Sequence, residues 1–404
     1  MSWSRALIWS LIAAAFIGPG TVTTAAKAGS EGGWYYLGFV ALAVCAGFLL
    51  MEMVARLTLV SGRSLGDILG RQNRGLAYVC FVAVLLGCMA YQSGNLLGAL
   101  GGIQLVIPQQ RTWVLLIGAL AALVLWPGES KKIARALAGV VALMGLVFVV
   151  VAAGLVAGDA SLAGQGRITA ATVIGLLGTT IVPYNFFLAA GLGRGESLKD
   201  MRRGLLASFV VGAVITGSII LVGSLVPSFQ GFGDLAGTLG ARFWDQGAMI
   251  LGLGLFAAGF SSAVTAPLAA ALAGRELLAD ADSEGFGPKG SWFRIIWASV
   301  LGAGLVVALL DLDMIRVILA AQIANGLLLP FIAAIVLVMA NDRALLGERV
   351  NTWWQNLLGF LVATFLAQKN ADLLLGKLGV AGEWWALVVA GVYGVLLFYL
   401  MRRE

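Results

Sequence analysis

Two short stretches decide the fold: residues 17–21 read Ile-Gly-Pro-Gly-Thr, and residues 181–185 read Ile-Val-Pro-Tyr-Asn. Each lies inside a long apolar run, and in each a polar residue follows the proline by two positions. Proline removes a backbone donor and clashes with the preceding helical turn, so each run is predicted to form a helix broken at its middle. Unpaired backbone groups at bilayer depth are tolerated only where they line a cavity or meet a ligand. The two stretches therefore predict a binding site between two broken helices.

The composition places the chain in a membrane. Of its 404 residues, 60% are hydrophobic and only 11% are charged, whereas a soluble domain carries about 25% charged residues. We therefore predict an all-α polytopic membrane protein with about twelve transmembrane helices. The apolar runs, numbered below as the first to the twelfth span, fall at 6–28, 34–60, 76–106, 112–127, 133–157, 168–192, 203–226, 246–275, 292–310, 314–340, 350–369 and 383–401.

The positions of the two broken spans indicate an inverted repeat. The sixth span follows the first by five crossings, so it enters the membrane from the opposite side. We expect residues 1–157 to form a first repeat of five helices and residues 158–340 an inverted second repeat, with two peripheral helices in residues 341–404, all in one membrane domain. Interrupted helices at matching positions of two repeats are the best sequence indication of a transporter's binding site.

The basic residues predict the orientation. If both termini are cytoplasmic, 19 of the 26 Lys and Arg residues fall on the cytoplasmic side, which is the bias that sets topology in membrane proteins. We expect a multi-pass protein of a bacterial-type inner (plasma) membrane. Because this bias accounts for the net charge of +6, no nucleic-acid partner is expected. The expected partners are the lipid bilayer and a small solute or ion, with a monomer compatible with the sequence and no cofactor.

The motifs around both breaks resemble those of the Nramp family of divalent-metal transporters. The stretch 18–29 resembles the motif of the family's first helix, and the stretch 178–188 resembles that of its sixth. Further similarity lies at residues 55–63, 259–265, 322–331 and 341–351. The resemblance implies a LeuT-like fold, with a 5+5 inverted repeat in which helices 1 and 6 are broken, and secondary transport of a divalent cation by alternating access.

The resemblance also implies a site, and this chain departs from the family there. Where the family has a metal-binding Asp, Asn and Met and a proton-linked His, this chain has Gly18, Thr21, Val182 and Tyr184. The small residue three positions before the family's Met corresponds to Thr179. Two acidic residues of the family's third helix correspond to Gln92 and Asn95, and Gln322 retains a side chain like those near the family's metal site.

Two groups of candidate residues follow. The predicted substrate-binding residues lie around the breaks or face them through the resemblance: Gly18, Gly20, Thr21, Thr179, Val182, Tyr184, Asn185 and Gln322. The predicted pathway or gate residues are polar or charged side chains elsewhere in the spans: Thr24, Lys27, Glu52, Gln92, Asn95 and Asn325. For the residues of the second group, a purely structural role is the alternative interpretation. Lys27 and Glu52 each have an opposite charge four residues away, and amides inside membrane helices also serve as packing contacts.

The predicted site contains no carboxylate, histidine, cysteine or methionine. A bare divalent ion requires anionic oxygens, or nitrogen and sulfur donors for a transition metal. We therefore do not expect dehydrated manganese or iron to bind in the family's way. The family resemblance favours a divalent cation carried largely hydrated. The residues themselves favour a neutral, zwitterionic or anionic organic solute, held at half-helix N-termini.

Other functional classes carry less weight. A passive channel would be lined by the same broken helices, and a non-transporting sensor would keep the fold without the site. An enzyme is not expected, because the chain has no histidine and no nucleophile–base pair is evident.

Overall fold

The computed structural model describes residues 17–107, 110–127, 131–158, 161–187, 197–242, 246–279, 284–379 and 383–402. These residues form helices joined by turns, which confirms the all-α prediction. The helices are α1 Pro19–Gly32, α2 Leu37–Ser61, α3 Leu65–Gln72, α4 Arg74–Gln104, α5 Val114–Leu125, α6 Lys131–Ala157, α7 Ala170–Thr180, α8 Leu198–Gly223, α9 Phe232–Arg242, α10 Gly247–Leu278, α11 Ser291–Leu309, α12 Met314–Met339, α13 Arg343–Leu346, α14 Trp353–Lys377 and α15 Glu383–Arg402.

Each predicted span overlaps one of these helices. Among the described residues, ten helical stretches are long and apolar enough to cross a membrane. The first of them, Pro19–Ser61, joins the first two predicted spans, and Arg111–Leu125 is a shorter apolar helix at the fourth. The short helices α3, α9 and α13 connect spans, and the sequence did not predict them.

The second predicted break is present, and α1 begins at the position of the first. Helix α1 begins at Pro19, where the missing amide costs nothing because the first turn of a helix has unsatisfied amides in any case. Residues 6–16 of the first span lie outside the described residues. Helix α7 ends at Thr180, and the helical conformation resumes at residues 185–187 after the non-helical Ile181 and Val182.

The helices pack in two groups. Helices α1, α2, α7 and α8 contact one another, and helices α4, α10 and α11 form a second group. Helix α6 packs against both α8 and α10, while α12 lies against α4 on one side and against α1 and α7 on the other. Helices α14 and α15 pack together on the outside of α12. Both broken helices therefore lie where the first group faces the second.

Glycines allow the closest helix contacts. A β-carbon placed on Gly29 of α1 would lie 2.1 Å from the backbone oxygen of Ile220 in α8. A β-carbon on Gly178 of α7 would lie 2.1 Å from the backbone oxygen of Gln322 in α12. Membrane helices associate largely through such close packing, because lipid tails are as apolar as the side chains they would replace. The glycine content therefore brings the broken helices close to their neighbours.

We predict that Gly29→Ala destabilises the fold, because the added methyl group overlaps a backbone atom that cannot move without shifting α8. The expected loss is about 1–3 kcal/mol, seen as a lower midpoint of thermal unfolding in detergent. Gly391→Ala in α15 is the control, since a β-carbon there meets no atom within 4 Å among the described residues. Equal midpoints for the two variants would contradict the packing described here.

Candidate functional site

The two broken helices meet through a pair of threonines. The hydroxyl of Thr21, in the first turn of α1, lies 2.8 Å from the hydroxyl of Thr179, in the last turn of α7. Both side chains are buried. The contact joins residues that are 158 positions apart in the chain, and it brings the beginning of one half-helix to the end of the other. The structure thus places both predicted breaks at one centre.

The backbone at this centre provides hydrogen-bond acceptors at the end of α7. At the start of α1, Pro19 has no amide hydrogen, and the amides of Thr21 and Val22 both donate to the carbonyl of Gly18. At the end of α7, the amide of Ile181 donates to Leu177. The carbonyls of residues 178–180 accept no backbone amide from the described residues. A helix C-terminus carries a partial negative charge, so the centre is suited to a cation.

Gln322 reaches this centre from α12. A β-carbon placed on Gly20 would lie 2.0 Å from the Gln322 side-chain nitrogen, so the amide group occupies the space that a side chain at position 20 would need. Gln322 is buried, and its Oε1 atom has no hydrogen-bond partner among the described residues. Since an unpaired buried polar atom is costly, this oxygen is a candidate ligand.

The second break contributes Val182, Tyr184 and Asn185, which are all buried. The Asn185 amide hydrogen donates to the Val182 carbonyl, which forms a tight turn. Within the described chain, neither polar atom of the Asn185 side chain has a hydrogen-bond partner, and the Tyr184 hydroxyl interacts with that of Tyr91 without a hydrogen bond of normal geometry. Val182 supplies only an apolar surface at this point.

Tyr91 of α4 also lies at this centre, and it is not among the residues predicted from the sequence. Its ring packs edge-on against that of Tyr184, with the ring centres 5.6 Å apart. Its hydroxyl would lie 3.2 Å from a β-carbon placed on Gly18. Gly98, two helical turns further along α4, packs against Pro19 in the same way. Tyr91, Asn95 and Gly98 have helical spacing, and that spacing was the available signal that one face of α4 meets the break.

The remaining predicted residues lie at different positions along their helices. Thr24 lies one turn above Thr21, against Gly175 of α7, and its hydroxyl is unpaired within the described chain. Asn325 of α12 lies beside Gly87 of α4. The side-chain nitrogens of Asn325 and Asn95 lack partners among the described residues. These three residues extend the polar centre along the helices.

Gln92 contacts α10 and α11. Its side-chain nitrogen donates to the Ala263 carbonyl of α10 over 3.0 Å. A β-carbon on Gly304 of α11 would overlap the Gln92 side chain. The contacts of Gln92 are those of a residue that joins α4, α10 and α11, which is the packing role that the sequence left open.

At one end of the site, Glu31 ties the two half-helices together. Lys27 forms the expected ion pair with Glu31, at 2.8 Å. The other carboxylate oxygen of Glu31 accepts a hydrogen bond of 2.8 Å from Thr172, in the first turn of α7. The loop before α7 also binds here, since the Arg167 amide donates to the Glu31 carbonyl. Helices α1 and α7 are therefore joined at both of their ends.

At the opposite end, Glu52 of α2 binds two arginines. It pairs with Arg56 of the same helix at 3.3 Å and with Arg202 of α8 at 2.8 Å. Arg56 also donates to the Arg349 carbonyl and to the Asn351 side chain in the segment before α14. Glu52 and Arg56 are almost fully buried. The sequence predicted the pair within α2, but it gave no sign of Arg202.

The described part of the chain contains no cluster of three or more His, Cys, Asp or Glu residues that could hold a metal ion. The charged groups near the pathway are the two clusters just described, one at each end, and each is internally paired. The polar groups between them are neutral.

Comparison with known proteins assigns the family. The model of the Nramp family (natural resistance-associated macrophage protein-like) matches residues 10–376. The chain belongs to the Nramp family.

The relatives of this Nramp protein match it over nearly their whole length. The divalent metal cation transporter MntH 1 of Pseudomonas aeruginosa is 25% identical, with 90% of this chain and 89% of that protein covered. MntH of a Nostoc species is 24% identical, with 93% and 92% covered. The Nramp resemblance of the sequence motifs is thereby confirmed, and with it the assignment to a family of multi-pass membrane transporters.

Solved structures confirm the LeuT-like fold. The Eremococcus coleocola manganese transporter, in its H236A mutant, superposes with a TM-score of 0.72 at 17% identity, covering 98% of this chain and 93% of that one. MHP1, a transporter of the nucleobase-cation-symport-1 family, superposes with a TM-score of 0.57 at 14% identity, covering 98% and 91%. At these identities the superpositions concern the fold alone.

We predict that Glu52→Gln destabilises the protein strongly, because it leaves the buried Arg56 without its counter-charge. Removing one partner of a buried ion pair costs about 3–5 kcal/mol. Asp67→Asn is the matched control, since Asp67 pairs with Arg71 at the same spacing of four residues but both side chains are partly exposed. An exposed pair contributes about 0–1 kcal/mol. Chemical unfolding in detergent compares the two variants, and similar losses would contradict a special role for burial.

Proposed function

We propose that this Nramp protein is a secondary transporter that carries a divalent cation across a bacterial plasma membrane by alternating access. One observation supports this most directly: the centre between the broken helices is uncharged and rich in oxygen acceptors. It combines the free carbonyl end of α7 with the unpaired side-chain oxygens of Gln322 and Asn185.

The backbone at the start of α1 argues against an anionic solute. Anion sites at helix N-termini use several free backbone amides. Here Pro19 has no amide hydrogen at the start of α1. The amides of the two residues after Gly20 donate to the Gly18 carbonyl and are not free for a ligand. The Gln322 side chain covers Gly20 itself. The backbone at the start of α1 would therefore offer a carboxylate few donors, whereas the end of α7 would offer a cation several carbonyl oxygens.

The charge of the site limits how the cation is held. The end of α7 supplies about half a negative charge, which falls well short of the two charges of a divalent ion. Stripping such an ion of its water would therefore be expensive. We infer that the ion keeps part of its water shell, as Mg²⁺ commonly does, and that the neutral side chains accept hydrogen bonds from the bound water molecules.

The relatives support the class of substrate. Those from Pseudomonas and Nostoc are named divalent metal cation transporters, and the Eremococcus neighbour is named a manganese transporter. In this proposal the Glu31 cluster closes the outer side and the Glu52 cluster closes the cytoplasmic side, with both termini in the cytoplasm. The latter placement follows from the distribution of Lys and Arg.

The test is influx of Mn²⁺, Mg²⁺ and Ca²⁺ into proteoliposomes that enclose a metal-sensitive dye. We expect saturable influx of at least one ion. Protein-free liposomes measure leakage, and Gly20→Leu supplies a transport-dead control, because the leucine side chain would occupy the space of the Gln322 amide. Influx that rises linearly with concentration would indicate a channel. No influx from folded protein would refute the proposal and turn attention to organic solutes.

We also predict that Gln322→Glu tightens the binding of divalent cations. The substitution keeps the shape of the side chain and adds the negative charge that the centre lacks, so the dissociation constant for Mn²⁺ should fall about tenfold. Gln110→Glu adds the same charge on an exposed loop and should leave the constant unchanged. Calorimetric titration of detergent-solubilised protein gives both values. Unchanged binding in Gln322→Glu would exclude Gln322 from the site.

A further inference from the structure

The structure assigns a substrate-binding role to Tyr91, whose hydroxyl supplies one of the oxygens that hold the hydrated cation beside Gly18. This inference rests on the proposed function and adds a residue to the same site. It names a phenol hydroxyl as a determinant of cation affinity in a centre that has no carboxylate among its described residues.

The Tyr91 hydroxyl lies close to Gly18. A β-carbon on Gly18 would lie 3.2 Å from this oxygen and 3.4 Å from the hydroxyl of Ser262 in α10. Two hydroxyl groups, from α4 and α10, therefore face the one residue that precedes Pro19. The absence of a side chain at position 18 leaves the backbone of the break directly against them.

The burial of the Tyr91 hydroxyl is energetically unfavourable. Tyr91 has no exposed surface. Its hydroxyl makes no hydrogen bond of normal geometry with a described residue, although it interacts with the hydroxyl of Tyr184. Burying an unpaired hydroxyl is unfavourable. Phenylalanine would make the same edge-on contact with Tyr184 without this cost. A tyrosine at this position is therefore explained by a partner that the hydroxyl meets during transport.

Other buried polar atoms of the site are unpaired as well. The Tyr184 hydroxyl, the Asn185 side chain and the Gln322 oxygen are also buried without a hydrogen bond of normal geometry in the described chain. Together with Tyr91 they come from α4, from the second break and from α12, which are elements that pack against α1 or follow α7 in the chain. Several unpaired polar atoms around one point are the arrangement that a hydrated ion can satisfy, because each bound water molecule donates two hydrogen bonds.

The test compares Tyr91→Phe with the wild type in the proteoliposome assay. We expect the KM for the transported cation to rise about tenfold, which corresponds to one lost hydrogen bond to a charged ligand. The thermal unfolding midpoint should not fall, because the ring packing is kept. Tyr78→Phe is the control, since Tyr78 is a half-exposed tyrosine of the same helix. Its KM should equal that of the wild type.

A second variant tests the geometry. Gly18→Ala brings a methyl group against the Tyr91 hydroxyl and should displace it by a few tenths of an ångström, which we expect to raise KM about threefold. In the Tyr91→Phe background the same substitution should have almost no further effect, because the oxygen that it displaces is gone. Such non-additivity is the signature of two positions acting through one contact.

The outcomes separate this inference from the proposed function. No saturable cation influx in the wild type would overturn the proposed function. Saturable influx in the wild type with an unchanged KM in folded Tyr91→Phe would overturn the role of Tyr91 alone, as would additive effects of the two substitutions. If Tyr91→Phe does not fold, Gly18→Ala in the wild-type background decides, and an unchanged KM there would overturn the role of Tyr91.

Discussion

The constraint on which this structure depends is that a backbone inside a membrane must find a partner for each of its polar groups. Pro19 begins α1, Pro183 follows the end of α7, and both prolines lie at one polar centre. Helix α1 closes its first turn on the Gly18 carbonyl, and α7 ends in carbonyls that no described amide pairs. The threonine hydroxyls hold these two ends together. The position and polarity of the central site both follow from this arrangement.

The distribution of charge follows a related logic. Among the described residues, full charges near the pathway lie at its two ends, where carboxylates are paired with Lys27, Arg56 and Arg202. The middle uses hydroxyls, amides and carbonyls, which cost less to bury than ions. Such neutral groups also hold a ligand less tightly than carboxylates do. A transporter must release what it binds, so moderate affinity at the centre is compatible with turnover.

Much of this arrangement was predictable from the sequence, because hydrophobic runs and prolines act locally. The spans, both breaks and the residues around them, such as Thr21 and Asn185, followed from pattern and from family resemblance. Tyr91 and Arg202 did not. Their roles depend on which helix faces which, and a single sequence gives the periodicity of a helix but not its partner. Gln92 shows the same limit, since its direction toward α10 and α11 is fixed by packing alone.

The neutral centre has a consequence for the energetics of uptake. If the protein carries a divalent ion as proposed, and the described residues of the centre supply no fixed charge to cancel it, the ion carries its full two charges through the electric field of the membrane, while the empty protein returns with none. A membrane potential of 100 mV contributes about 2.3 kcal/mol for each elementary charge that crosses the membrane. The step that moves the bound ion is therefore driven by about 4.6 kcal/mol per 100 mV. In a cell whose interior is negative, voltage alone would pull the ion inward.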